Sequence, residues 1–222
     1  ATEEACSLLS GYYMVSDAGK PLRLPSTPTP GTGTVGGDAD NALKDVYSFY
    51  GEVSQVPRNV TCDQAPGGLD WVYGGPVHDE EYFVALNRHA IFDSLLTAWN
   101  TTGNPSYPRL FDNLTADWVC QYHPEPASID GVGKAGPWET LQAGIRASGP
   151  WPAAFFGFQQ AAEFRNSTRL AMLASVAEHG QFLSKFASRG NPNFRSMQYH
   201  GLANLAAYWP EFLDASAWLE TA

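Results

Sequence analysis

The residues of this chain best able to do chemistry lie in three short stretches, each rich in groups that donate hydrogen bonds to anions. Asn193 follows Pro192 in GNPNFRSMQYHG. At the start of a helix its amide can donate to a carboxylate where the dipole favours negative charge, and it can equally serve as a plain N-cap. Gln198, Tyr199 and His200 come next, but Gln198 and His200, two positions apart, cannot share one helix face. Arg146 ends the run AGIR. Its guanidinium fork suits a carboxylate, and an interhelical salt bridge to Glu139 or Glu163 would use it just as well. Asn87, Arg88 and His89 form a polar cluster inside an otherwise apolar stretch. Trp138, Trp151 and Trp209 offer flat faces that either line a sugar groove or pack in a core.

Other chemistries find less support. His78, Asp79, Glu80 and Glu81 are adjacent polar groups at a helix start, where dipole complementarity accounts for the acids without a ligand role. No metal constellation, nucleophile elbow, P-loop or dinucleotide fingerprint occurs, so neither metal nor cofactor is expected. Asp117 and Glu125 are carboxylates that could in principle hydrolyse a glycoside, but nothing in the sequence positions them. The net charge of −10 argues against nucleic acid or an anionic membrane surface as partner. No stretch reaches the roughly 18 apolar residues of a membrane span.

Hydrophobic residues make up 44% of the 222 and charged ones only 16%, a composition of packed rather than disordered chain. The sequons at Asn59, Asn100, Asn113 and Asn166 are candidate glycosylation sites and point to a secreted, extracellular protein. Three cysteines fit the same compartment. Cys62–Cys120 is the preferred pair, which leaves Cys6 free or joined to another chain or segment.

The elements that must position these groups read as helices. Residues 1–37, rich in Pro, Thr and Gly from Pro21 onward, form an extended N-terminal arm. A helical domain is expected over 38–222. Leu43, Val46, Tyr47 and Tyr50 follow Asp38 at helical spacing, and residues 54–77 are irregular. Further helices are expected over His78–Trp99, Tyr107–Tyr122, Pro137–Arg146, Pro152–Phe164, Arg169–Ser188 and Asn193–Tyr208, with a last one from Asp214. Strand signals are nearly absent. The fold class is mainly α: antiparallel helix pairs joined by short Gly/Pro loops.

Three stretches, in order, resemble the catalytic toroid of heparinase II/III-like and related alginate lyases. LNRHAIFDSLLTAWNTTGNPSY (86–107) is similar to the family's W-x-L-N-R-H helix and T-G-D/N-x-x-Y. GPWETLQAGIRASGPW (136–151) is similar to W-R-T-L-E-A-G-I-R, and GNPNFRSMQYHGLANLAAYWPEFLDASAW (190–218) to the N-W/F helix ending in F-P-E-F. The resemblance covers residues 78–222 and implies an incomplete (α/α) toroid acting on an acidic, uronate-containing polysaccharide by β-elimination. It implies Asn193 as the group that neutralises the substrate carboxylate, helped by Arg146 and His200. Asn87, His89, Trp138, Gln198 and Tyr199 become substrate-binding candidates. The family's Tyr base and its later His and Tyr would lie beyond Ala222, on further polypeptide or a second chain that completes the toroid. A non-catalytic extracellular glycoprotein that uses the same scaffold for carbohydrate binding or matrix structure is the alternative.

Overall fold

The computed structural model describes residues 37–62, 65–124, 136–187 and 192–222, with Glu4 and Tyr12 as single positions. The expected arm, Cys6, Glu125 and the loop over 125–135 lie outside the described residues.

Helix α1 (Asp38–Ala42) is short and gives way to a hairpin of β1 (Val46–Phe49) and β2 (Glu52–Gln55). The helix expected to run on through Val46, Tyr47 and Tyr50 is therefore corrected. Asp45 takes a left-handed φ of 57°, which ends the helical turn, and the β-branched and aromatic run VYSFY then suits an extended, half-buried strand. The register pairs Phe49 with Glu52, so Tyr50 and Gly51 alone form the turn. A second hairpin joins β3 (Val60–Cys62) to β4 (Ala65–Gly68) with a bulge near Val60. Strand signals were short rather than absent.

The remaining elements are helical. They are α2 (Glu80–Leu86), α3 (Ile91–Thr102), α4 (Ser106–Gln121), α5 (Thr140–Ser148), α6 (Pro150–Gly157), α7 (Asn166–Phe186), α8 (Arg195–Tyr208) and α9 (Ala215–Thr221). A 3-10 turn, Pro192–Phe194, leads into α8. The single helix expected over His78–Trp99 is two. The chain tightens at Arg88 and His89 through backbone bonds three residues back, and His89 turns left-handed at φ 58° before α3 starts. The helix expected to reach Phe164 stops at Gly157, where Leu96 of α3 lies against the glycine and leaves no room for a Cβ.

The core is unusually aromatic. Trp71, Trp118, Trp151 and Trp209 are enclosed together with Phe92, Phe111, Phe155 and Phe158. Ring pairs link α3, α4 and α6 in edge and stacked contacts, such as Phe92–Phe111 at 4.9 Å and Phe111–Phe158 at 4.6 Å. Such pairs add roughly 0.5–1.5 kcal/mol each beyond the area they bury.

Candidate functional site at the first turns of two parallel helices

Helices α5 and α8 run side by side in the same direction. The Gln198 amide donates to Thr140 Oγ1 at 2.6 Å, and the Asn204 amide donates to the Ser148 carbonyl near the other end. Between these bonds Gly144 meets Gly201. A Cβ built on Gly144 would stand 2.8 Å from the Met197 carbonyl oxygen, and one on Gly201 would stand 2.9 Å from Gly144 Cα. The glycines of AGIR and HGL therefore serve a close backbone crossing, which brings both helix N-termini to one end of the molecule. There the Glu139 carboxylate already caps α5, accepting from the backbone nitrogens of Leu141 at 2.8 Å and Gln142 at 3.2 Å. The start of α8 has no side-chain cap and is open to solvent, with Asn193, Arg195 and Ser196 exposed around it.

The residues expected to do chemistry divide into two groups. Asn193 and His200 are exposed, and Tyr199 and Trp138 are half-buried. His200 stands beside Asn204 at 3.3 Å and, seven positions on from Asn193, about 10 Å further along the helix. Asn87, His89, Arg146 and Gln198 are fully enclosed. Asn87 spends its polar atoms on the scaffold, donating to the Trp71 and Phe83 carbonyls and accepting from Trp118 Nε1 at 2.9 Å. Neither salt bridge expected of Arg146 forms. Its Nη1 donates to the Asn87 and Pro137 carbonyls, its Nε donates to His179 Nε2 at 3.2 Å, and the guanidinium lies 4.4 Å over Trp118. Glu163 instead faces Arg109 at 3.7 Å. Asp117, the carboxylate weighed for glycoside hydrolysis, is a buried acceptor for Leu69 N, Trp71 Nε1 and Gln121 Nε2.

Charge states in the enclosed group follow from burial. Burial pulls the Arg146 guanidinium below its ordinary value, to about 9, against the opposing pull of Glu139. His89 and His179 are held well below the ordinary imidazole range, first by burial and then by Arg146. Both rings are neutral at physiological pH. Trp151 donates to His89 Nδ1 at 2.8 Å, so the proton of His89 sits on Nε2. His179 accepts at Nε2 and donates from Nδ1 to the Ser175 carbonyl.

Residue-level reading missed part of the accessible end. Of the triplet Asn87–Arg88–His89, it is Arg88 that points outward, its Nε donating to Gln142 Oε1 at 2.9 Å and its Nη1 to the Tyr50 hydroxyl at 3.0 Å. Consecutive polar residues at a helix break give no periodic signal for which one faces solvent. An open cavity of about 800 Å³ lies elsewhere, beside the Cys62–Cys120 disulfide, and is lined by Thr61, Tyr122, His123, Arg165 and Ser167 among others. None of the expected catalytic or substrate-binding residues lines it. Of the sequon asparagines, Asn59 and Asn113 are exposed, and Asn100 and Asn166 are half-buried within or at the start of helices.

The sequence profile of the heparinase II/III N-terminus matches residues 9–222. The chain belongs to this family. A heparin-sulfate lyase of Bacteroides thetaiotaomicron is 27% identical over 188 residues, which are 82% of this chain and 26% of the relative. The heparan sulfate lyase HepC of Pedobacter heparinus superposes with a TM-score of 0.75 at 22% identity, over 98% of this chain and 33% of that one. A structure of heparinase III gives 0.74 at 23%, over the same shares. The chain thus spans about a quarter to a third of the length of these heparinase relatives. Like them it is mainly helical, with the fold of an incomplete α/α toroid.

Proposed function

We propose that this chain is the substrate-holding N-terminal part of a secreted polysaccharide lyase acting on a uronate-containing, heparan-sulfate-like polymer. The observation that carries this reading is the match to the heparinase II/III N-terminus over residues 9–222, with lyases of heparin and heparan sulfate as relatives. The open start of α8 gives it a chemical group. An anion brought to this exposed helix start would meet the Asn193 amide and the positive helix end together.

In β-elimination a base removes the proton next to the uronate carboxylate, a carbon–carbon double bond forms, and the sugar oxygen leaves with a proton from an acid. No water is consumed. The costly step places charge on the carboxylate as an enolate, and a preorganised donor at that group lowers the barrier. Asn193 takes this role. Secretion and glycosylation are supported by the four sequons, two of them on exposed asparagines, and by the Cys62–Cys120 disulfide.

The test incubates the full protein with heparan sulfate, glucuronan and alginate and follows the ultraviolet absorbance of the unsaturated uronate end. Product from at least one polymer is expected. Asn193→Ala should lower kcat by roughly 100-fold or more, the usual effect of removing one such donor, with little change in melting temperature because the residue is exposed. Binding of these polymers without any unsaturated product would favour the non-catalytic carbohydrate-binding scaffold.

A further inference from the structure

The tip of the β1–β2 hairpin reaches the polar end of the helices in an unusual way. Tyr50 and Gly51 both take left-handed backbone angles, φ 52° and 88°. Two such residues are what the type I′ form of a two-residue hairpin turn needs. Glycine adopts this conformation freely, whereas tyrosine does so at a cost of roughly 1–2 kcal/mol. Tyr50 is nevertheless 67% exposed as a residue, and its hydroxyl accepts from Arg88 Nη1 at 3.0 Å.

Arg88 is fixed from its other side as well. Its Nε donates to Gln142 Oε1 at 2.9 Å, and Gln142 is itself oriented because its amide nitrogen donates to Glu139 Oε2 at 3.0 Å. The guanidinium is therefore held by neutral acceptors on two edges. No carboxylate among the described residues lies within ion-pair distance of it, although Arg58 and Arg165 each hold one at 2.6 Å. In a chain with 23 acidic and 13 basic residues, a part-exposed arginine aligned without an acid is notable. Side-chain ordering and backbone strain are both spent at one exposed spot, and outliers of this kind cluster where a ligand is held.

The position fits. Arg88 lies in the break between α2 and α3 and bonds the first turn of α5, while the first turn of α8 bonds α5 from its other side through Gln198 and Thr140. Tyr50 with Arg88 and the Asn193 turn thus flank the same helix start. An exposed flat ring beside an oriented guanidinium matches one kind of ligand unit: a pyranose face for the ring and an anionic group for the fork. We infer that Tyr50 and Arg88 form a subsite for an acidic sugar residue, which stacks on Tyr50 and places a carboxylate or sulfate on Arg88. This rests on the reading of the substrate as an acidic polysaccharide and assigns a residue pair that holds it.

The test measures binding of a size-defined heparan sulfate oligosaccharide to the full protein by calorimetry at several salt concentrations, with cleavage followed on the same samples. Arg88→Gln should weaken binding about tenfold or more, as expected for one lost charge-assisted contact, and make the salt dependence shallower. Tyr50→Ala should weaken it several-fold, and Tyr50→Phe, which keeps the ring, much less. Arg88→Lys keeps the charge without the fork and should fall between wild type and Arg88→Gln. It also serves, with Tyr50→Ala, if Arg88→Gln does not fold. Carboxyl-reduced and desulfated oligosaccharides identify the anion: the group whose removal erases the difference between wild type and Arg88→Gln is the one bound. Wild-type affinity and salt slope in Arg88→Gln would overturn the subsite. Cleavage with an unchanged KM in Arg88→Gln removes the subsite and leaves the lyase reading intact. Arg88-dependent binding without unsaturated product does the reverse.

Discussion

The guanidinium of Arg146 and the imidazoles of His89 and His179 share one space walled by Trp118, Trp138 and Trp151. Two neutral rings beside one buried cation make stability depend on pH in a definite direction. In the unfolded chain each histidine binds a proton below its ordinary pKa of about 6.5. In the folded chain both stay neutral well below that value. The unfolded state therefore binds more protons, so the stability present above about pH 6.5 is lost as pH falls beneath it. Each group contributes a slope of up to about 1.4 kcal/mol per pH unit. Denaturant titrations from pH 7 to 5 should show falling stability with close to two protons taken up on unfolding, and His179→Asn should remove about one of them. A stability that stays flat over that interval would show that these rings titrate normally. The same cluster shows why Arg146 looked like a substrate ligand. Residue type suggests an anion, and only the packing reveals that backbone carbonyls of Asn87 and Pro137 take its donors.

At the scale of elements, the crossing of α5 and α8 sets the geometry of the proposed site, since it carries Asn193 and Gln142 to one end. Gly144→Ala would drive a Cβ into the α8 backbone at Met197 and Gln198, and Gly201→Ala would drive one into Gly144. Backbone cannot yield as a side-chain tip does, so each substitution should cost about 1–3 kcal/mol or more. The activity proposed to depend on Asn193 should weaken in parallel. Chemical denaturation of the two variants measures the first effect, and an unchanged midpoint in both would mean that the helices separate easily. How legible these elements were depended on length. The expected Tyr107–Tyr122 and Arg169–Ser188 helices appear as Ser106–Gln121 and Asn166–Phe186, because several turns of apolar spacing outweigh local noise. Val46 and Tyr47 fit a helical period over only a few residues and belong to a strand. The break at His89 has no Gly or Pro to announce it. The motif residues marked the family, but the reason for their glycines lies in a contact between segments 57 positions apart, from Gly144 to Gly201, which no local pattern encodes.

At the scale of the molecule, the stretch after β2, which carries the β3–β4 hairpin rather than the irregular chain expected there, is fastened to α4 along one side. Cys62 is joined to Cys120 with Cα atoms 6.0 Å apart, the pairing preferred from the sequence. Asp117, one turn earlier, accepts from Leu69 N and Trp71 Nε1, each at 2.9 Å, while Gln121 Nε2 donates to the Leu69 carbonyl at 3.1 Å. These bonds seat Trp71 against His89, 5.0 Å away, and close the aromatic core from outside. The disulfide acts mainly on the unfolded chain. For a separation of 58 residues, the entropy of loop closure is worth up to about 4 kcal/mol. Asp117 acts on the folded chain, because Asp117→Ala leaves buried donors without an acceptor, at roughly 1–3 kcal/mol for each one stranded. The two effects arise in different states and should add. Cys62→Ser with Cys120→Ser should fold with a lowered midpoint and intact near-ultraviolet dichroism from the tryptophans, whereas Asp117→Ala should also perturb that signal. All three changes together approach the roughly 5–15 kcal/mol of an ordinary domain and should leave the chain unfolded. Reduction that leaves the midpoint where it was would mean that the Asp117 bonds alone hold this segment, and that the disulfide adds nothing to the seal over Trp71.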